Sequence, residues 1–454
     1  MNAKTQAVAR RTIARAQSIP IITPPAWKWR AHRAALACLL AVALVPLAAE
    51  AGKPVKPPST PAFTPVSLGG VISSDGLVLN RASAINNAGQ VVGYTGVPGY
   101  PNGYHQAYLL NPRDTNGDGN PDTWFVDAVQ NATGLPGPDG QNDLIIGLGN
   151  LPACTQGYAM AINDLGLVVG RSSASQMFIV VPEDGLWYQD VNGDGVNDLM
   201  RSLGALPGRA GWTLSSITLN NLGQVTGWSY DPNNSSLRGG FLLTPVQVAP
   251  GVWEWFQDDG TGANALMVDL GAFFPNGIND SGQIVGTLAG RATLRQPDGS
   301  LVDLRAGGIQ SDAEVINNRG QIGLGIDPDN DGWHTALLTP VDTNNDGAPD
   351  LWYRDLNGDG VNDLVVHQAT LSNETGSMIA VHGLNESASV VGRSVMWTGN
   401  PPRGTWKSVA VLWENGGVSK LKDLTGGTTE FLEATAINNA RQILSDGYIL
   451  LPTR

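Results

Sequence analysis

The chain has 454 residues, 42% of them hydrophobic, with 57 Gly and 29 Pro. That length can bury a large core, and so many turn formers among short apolar runs predict short strands rather than long helices. Lys and Arg number 27 against 40 Asp and Glu, a net charge of −13, which argues against nucleic acid and anionic membrane as partners and favours divalent cations.

The first 51 residues read as an export signal. Lys4, Arg10, Arg11, Arg15, Lys28, Arg30 and Arg33 precede an apolar run from Ala34 to Ala49, which ends at the small-residue site Ala49-Glu50-Ala51. The run is short for a spanning helix and is broken by Pro46, so cleavage after Ala51 is expected rather than a retained anchor. Cys38 opens the run, where a lipoprotein cysteine would close it, so no lipid anchor is expected. Removing seven basic residues and one acid leaves 20 basic against 39 acidic residues, a net charge of −19. The mature chain keeps Cys154 alone, which excludes an intrachain disulfide. An exported chain of this kind must be held by its core, by metal, or by both. Residues 52–65 read as an extended Pro-rich linker.

Residues 66–454 carry one phrase seven times. It runs A-I-N-N-A-G-Q-V-V-G from Ala84 and A-I-N-D-L-G-L-V-V-G from Ala161, and recurs around Asn220, Asn279, Asn317, Asn385 and Asn438. In the first copy, Ser83 to Ile85 reads as a strand, Asn86 to Gly89 as a turn and Gln90 to Gly93 as a second strand, a hairpin signature. A third strand follows at Ala107–Leu110 and a fourth at Leu144–Leu148. Fourth strands recur at Leu199–Gly204, Leu266–Gly271, Leu301–Leu304 and Leu421–Leu424. The repeated Asn residues are spaced 77, 57, 59, 38, 68 and 53 apart, which a propeller absorbs as loops and a stacked solenoid tolerates poorly. The expected fold is all-β, a seven-bladed β-propeller of degenerate four-stranded repeats. The last copy lacks a fourth strand. Pro65 to Gly70 can supply it and close the ring.

Four acidic stretches share the spacing D-x-N-x-D-G-x-x-D. They are Asp114-Asn116-Asp118-Asn120-Asp122, Asp190-Asn192-Asp194-Val196-Asp198, Asp342-Asn344-Asp346-Ala348-Asp350 and Asp355-Asn357-Asp359-Val361-Asp363. Side-chain oxygens at positions 1, 3 and 5 surround one turn, Gly at position 6 permits the bend, position 7 offers its carbonyl, and position 9 binds directly or through water. Hard oxygen ligands without His or Cys suit Ca²⁺ and not zinc. Position 12 holds Phe125, Arg201, Tyr353 and Val366 rather than the Glu of a helix–loop–helix site, and the spacing resembles the calcium loops of thrombospondin type 3 and dockerin modules. Several structural Ca²⁺ ions are therefore expected. A further loop starting at Asp127 carries an insertion and resumes at Asp139-Gly140-Gln141-Asn142-Asp143. A partial loop spans Asp327 to Gly332, and the stretch from Asp258 to Ala265 has lost the motif.

The phrase I-N-x-x-G-Q-V-V-G, followed by a strand such as His105-Gln106-Ala107-Tyr108 or His334-Thr335-Ala336-Leu337, resembles the bacterial extracellular repeat proteins of the HAF family. That resemblance implies an exported repeat protein and no defined chemistry. His105 and His334 fall at equivalent positions, which points to a shared structural contact rather than catalysis. Trp124, Trp187, Trp253, Trp255 and Trp352 lie near the loops, and packing between blades is favoured over a sugar-stacking face. No G-x-S-x-G elbow, P-loop or dinucleotide fingerprint is present, so no catalytic residue is assigned. The expected function is a secreted, extracellular or periplasmic monomer that binds an extracellular protein or glycan. The alternative is a propeller glycan hydrolase or lyase.

Overall fold

The computed structural model describes residues 61–72, 78–96, 105–128, 140–173, 176–308, 310–327, 332–371, 380–398 and 405–453. The export signal, the linker up to residue 60 and residues 328–331 of the partial acidic loop lie outside the described residues. Seven antiparallel sheets, one per repeat, form the blades of a propeller.

Each blade is a meander ordered from the inner strand outward. Blade 1 comprises Val78–Ile85, Val91–Gly96, His105–Leu110 and Ile145–Gly149, with Val71–Ile72 added at its inner edge. The inner strands of blades 2 to 7 are Gly157–Ile162, Thr213–Leu219, Phe273–Ile278, Gln310–Ile316, Ala380–Leu384 and Ala434–Ile437. Blade 3 carries an extra exposed hairpin, Val246–Ala249 and Val252–Glu254, between its third and fourth strands.

Ring closure follows the sequence reading with a shift of register. The outer strand of blade 7 is Phe63–Ser67, antiparallel to Tyr448–Pro452, with Phe63 opposite Pro452 and Ser67 opposite Tyr448. The strand thus begins inside the segment read as linker and ends before Gly70. Phe63 and Leu68 are fully buried, so the apolar side chains set where it begins and ends. One fourth strand was misplaced. Leu421–Leu424 is a one-turn helix, and the outer strand of blade 6 is Gly417–Lys420. The tight turn at Asn415 and Gly416, both at positive φ, brings the chain back early, and the helix then buries Leu421 and Leu424 against Phe431.

No blade buries its own faces, so the core lies between blades. A separate apolar cluster fills each of the seven interfaces. Between blades 1 and 2, for example, Val92, Leu109 and Leu148 meet Phe178, Val180 and Trp187. Burying such side chains contributes about 1.5–3 kcal/mol each, which is why a ring of small sheets holds without disulfides.

Candidate functional site

Strand direction alternates within a blade. The turn between first and second strands and the loop between third and fourth therefore leave at the same end. This end, the turn face, gathers the repeated phrase and the acidic loops.

At its centre the seven repeated Asn residues close a ring. Asn86 donates its Nδ2 to the carbonyl of Asn163, Asn163 to Asn220, Asn220 to Asn279, Asn279 to Asn317, Asn317 to Asn385, Asn385 to Asn438 and Asn438 back to Asn86, at 2.9–3.3 Å. Each Oδ1 accepts the backbone N–H four residues on, at 2.9–3.0 Å, which fixes the turn. All seven are buried. Asn is required because one side chain must donate across the interface and accept within its own turn.

The next residue in each turn forms a second ring nearer solvent. Backbone N–H groups of Asn87, Asp164, Asn221, Asp280, Asn318, Glu386 and Asn439 each donate to the side-chain oxygen of the next member, at 2.7–2.9 Å. Asn221 bridges both neighbours, donating to Asp164 at 3.1 Å and Asp280 at 2.9 Å. The two rings border an axial cavity of about 180 Å³ whose walls continue into Ile85, Ile162 and their equivalents.

The acidic loops lie outside these rings, one in blade 1, one in blade 2 and two in blade 5, and all four hold one conformation. The position-1 carboxylate accepts from the N–H groups of positions 4 and 6, as Asp190 does from Gly193 and Gly195 at 2.7 and 2.9 Å. Position 3 accepts from position 5, position 5 from position 7, and position 9 from position 2. The same five bonds recur around Asp114, Asp342 and Asp355. Position 4 needs a positive φ, supplied by Gly117, Gly193 and Gly358 and by Asn345 at 60°. The Thr115 and Thr123 hydroxyls hold Asp122 below the usual carboxylate range, and Thr343 does the same for Asp350. The interrupted loop closes alike, with Gly140 donating to Asp127 and Ala128 to Asp143. The blade 3 stretch does not, since Asp258 receives Gly260 and Gly262 on one oxygen. Among the described residues no three His, Cys, Asp or Glu gather in a cation-holding cluster. The loop donors are all oxygens, and their carboxylates are held by backbone N–H groups.

Two features tie these loops to the ring. Trp124, Trp187, Trp255 and Trp352 are buried and donate Nε1 to the carbonyls of Gly89, Gly166, Gly223 and Gly320, the last residues of the turns, at 2.8–2.9 Å. These bonds stay within a blade, while the four rings lie in the apolar clusters between blades, and Trp253 alone of the five is exposed, at 44%. Sequence reading missed Asn142, Asn197, Asn264 and Asn362. Each is buried and donates both to a Leu carbonyl of the preceding blade and to its own loop's Trp carbonyl, at 2.7–2.9 Å. Their signal was an Asn immediately before a loop's closing Asp, or its counterpart.

The two strand His residues share a position but not a contact. His105 Nδ1 lies 3.0 Å from the Tyr158 hydroxyl, against the Tyr94 ring, and burial lowers its pKa. His334 stands near His367 instead, whose pKa is lowered by burial and by the charge of His334. The residues facing them differ between blades, so equivalence along the strand does not extend across it.

Fold and site define a seven-bladed β-propeller closed by its N-terminal strand. No family model and no curated protein matches the chain. Among solved structures it is similar to one titled "Structure of Dos1 propeller", at 11% identity and a TM-score of 0.37, covering 86% of this chain and 94% of that one. It is also similar to "Streptogramin B lyase structure", at 9% identity and a TM-score of 0.29, covering 66% and 94%. Neither is near enough to bear on activity. No helix among the described residues is long and apolar enough to cross a membrane.

Proposed function

We propose that the chain is an exported propeller of the HAF type, stabilised by Ca²⁺, that works as a binding or surface-interaction module for an extracellular protein or glycan. The supporting observation is the shared five-bond conformation of the four acidic loops on one face. Asp, Asn and backbone oxygens at positions 1, 3, 5, 7 and 9 would hold the ion, which would stiffen the links from third to fourth strand. A site filled at a hundred times its Kd adds about 2.7 kcal/mol. Thermal unfolding should therefore move up with added Ca²⁺ and down with a chelator. Melting unchanged in excess chelator would sink the calcium reading. A glycan and protein array combined with a hydrolysis screen tests the binding role. Turnover abolished by one carboxylate change outside the four loops would favour the hydrolase or lyase instead.

A further inference from the structure

Between the outer strand of blade 2, Met200–Gly204, and the inner strand of blade 3 the chain reads A-L-P-G-R-A-G-W. It folds as two successive turns. The N–H of Arg209 donates to the carbonyl of Leu206 at 2.9 Å, and the N–H of Trp212 to that of Arg209 at 3.3 Å. Each turn has Gly in third place, Gly208 at a φ of 76° and Gly211 at 80°, as a type II turn requires. The second turn brings its two ends together, and the Arg209 guanidinium stacks on the Trp212 ring, with Cζ 4.7 Å from the ring centre. Blade 3 holds the guanidinium from the other side. Nη2 pairs with both oxygens of Asp269 at 2.7 and 2.5 Å, and Gly239 leaves the room that Nη1 occupies, 1.4 Å from where a Cβ would stand.

Arg209 and Trp212 border a cavity of about 300 Å³ between blades 2 and 3. Part of its wall is apolar, from buried Met177, Leu206, Leu214 and Phe241. The polar part comes from Gln176, Ser202 and Ser229. Ser229 is only 8% exposed, and its hydroxyl makes no hydrogen bond among the described residues. Arg209 is the one charged residue of the lining, and Asp269 neutralises it. The blade 3 loop that lost the acidic motif borders the cavity through Gly262. The equivalent cavity between blades 1 and 2, of about 410 Å³, is lined by Leu151-Pro152-Ala153-Cys154, which makes the same first turn. Cys154 stands there in the place of Arg209, and no aromatic or charged side chain lines that cavity. The stacked pair is therefore a property of this interface and not of the repeat.

We propose that the cavity between blades 2 and 3 binds an N-acetylated hexosamine unit of a glycan, which rests on the glycan-binding reading above and gives it a site. A lining without net charge suits an uncharged ligand. A pyranose offers an apolar C–H face to an indole such as Trp212 and hydroxyls to a polar rim such as Gln176 and Ser202. The acetamido group answers the rest of the lining. Its methyl meets the wall of Met177, Leu214 and Phe241, and its carbonyl oxygen accepts from the unpartnered Ser229 hydroxyl. The volume lies at the lower end of the range for small-ligand pockets, which suits one sugar unit rather than a length of chain.

The test uses the full chain, calorimetry, and N-acetyl-D-glucosamine and N-acetyl-D-galactosamine as probes, with D-glucose as the sugar that lacks the acetamide. The wild type should bind at least one N-acetylated probe, and D-glucose about tenfold or more weakly. Trp212→Ala, folded by its melting curve, should bind that probe about tenfold or more weakly than the wild type. Ser229→Ala, which removes only the donor, should weaken it about fivefold. No binding of either N-acetylated probe by the wild type overturns the proposal, and so does binding of D-glucose as tight as theirs. A glycan found on the array that binds Trp212→Ala as well as the wild type would keep the binding module and remove this cavity from it.

Discussion

The turn ring and the inner strands that lead into it use their repeats in opposite ways. On the turn face, seven blades place the same Asn and make the same two bonds with it. Within the inner strands, three residues before that Asn, six blades make the same bulge and place six different residues on it. The ring position must donate across the interface and accept within its own turn, which an amide does with one side chain, so it does not vary. The bulge position carries no such double demand, and Asn276 and Thr435 both donate from it to the equivalent carbonyls of Ala313 and Ala82. Assembly of the ring therefore resides in the invariant position.

Removing residues 61–69 should have the largest effect. It takes away the outer strand of blade 7, buried Phe63 and Leu68, and the carbonyl that receives Asn142. Chemical denaturation of that variant should lose its single cooperative transition. Asn220→Ala comes next. It leaves the carbonyl of Asn279 and the N–H of Gln224 without their side-chain partner, and should cost about 2–4 kcal/mol in a urea titration. Asn276→Ala at the bulge should cost about 1 kcal/mol, since that residue bonds a neighbouring side chain and one carbonyl outside the ring. Equal losses at the two sites would erase the distinction between ring and bulge.

A pH series sharpens it further. Glu314 has a folded pKa of about 8, above its unfolded value, so its contribution is fully present below the unfolded pKa and is lost as pH rises through 8. Glu314→Gln should therefore gain on the wild type as pH rises from about 5 to 9, read as a widening gap in melting temperature. The smallest effect is expected for Asp280→Asn, which keeps one oxygen for the N–H of Asn221 and gives up the oxygen shared by the partly exposed amides of Asn221 and Asn318. At an exposed ring this should change stability by under about 0.5 kcal/mol.

Much of the ring was legible because its signals are local. The turn of each phrase, the β-branched strand after it and the apolar third strand are all contiguous in sequence, and so are the acidic loops. The misplaced strand at Leu421 arose because a Leu-x-x-Leu spacing suits a helical turn as well as an outer strand, and only the turn at Asn415 decides between them. The Asn ring was hidden for another reason. Asn in a turn explains itself locally, so nothing in Asn86 alone announces a bond to a residue 77 positions away. The pairing of Asn276 with Asp312 and of His382 with Glu433 was equally silent, because the partners belong to different blades and share no residue type.

The outer ring also poses a problem of parity. Its members run Asn, Asp, Asn, Asp, Asn, Glu, Asn, so donors and acceptors take turns around the axis. Two kinds of member can alternate without a fault only around an even circle, and this circle has seven. The fault falls where Asn439 meets Asn87, two amides in succession. That junction lies between the last blade and the first, at the inner end of the blade whose outer strand joins the chain to itself. A six- or eight-bladed ring could have hidden its seam. In this one the odd number marks a single interface as unlike the others, and the seam is written into the chemistry of the mouth as well as into the path of the chain.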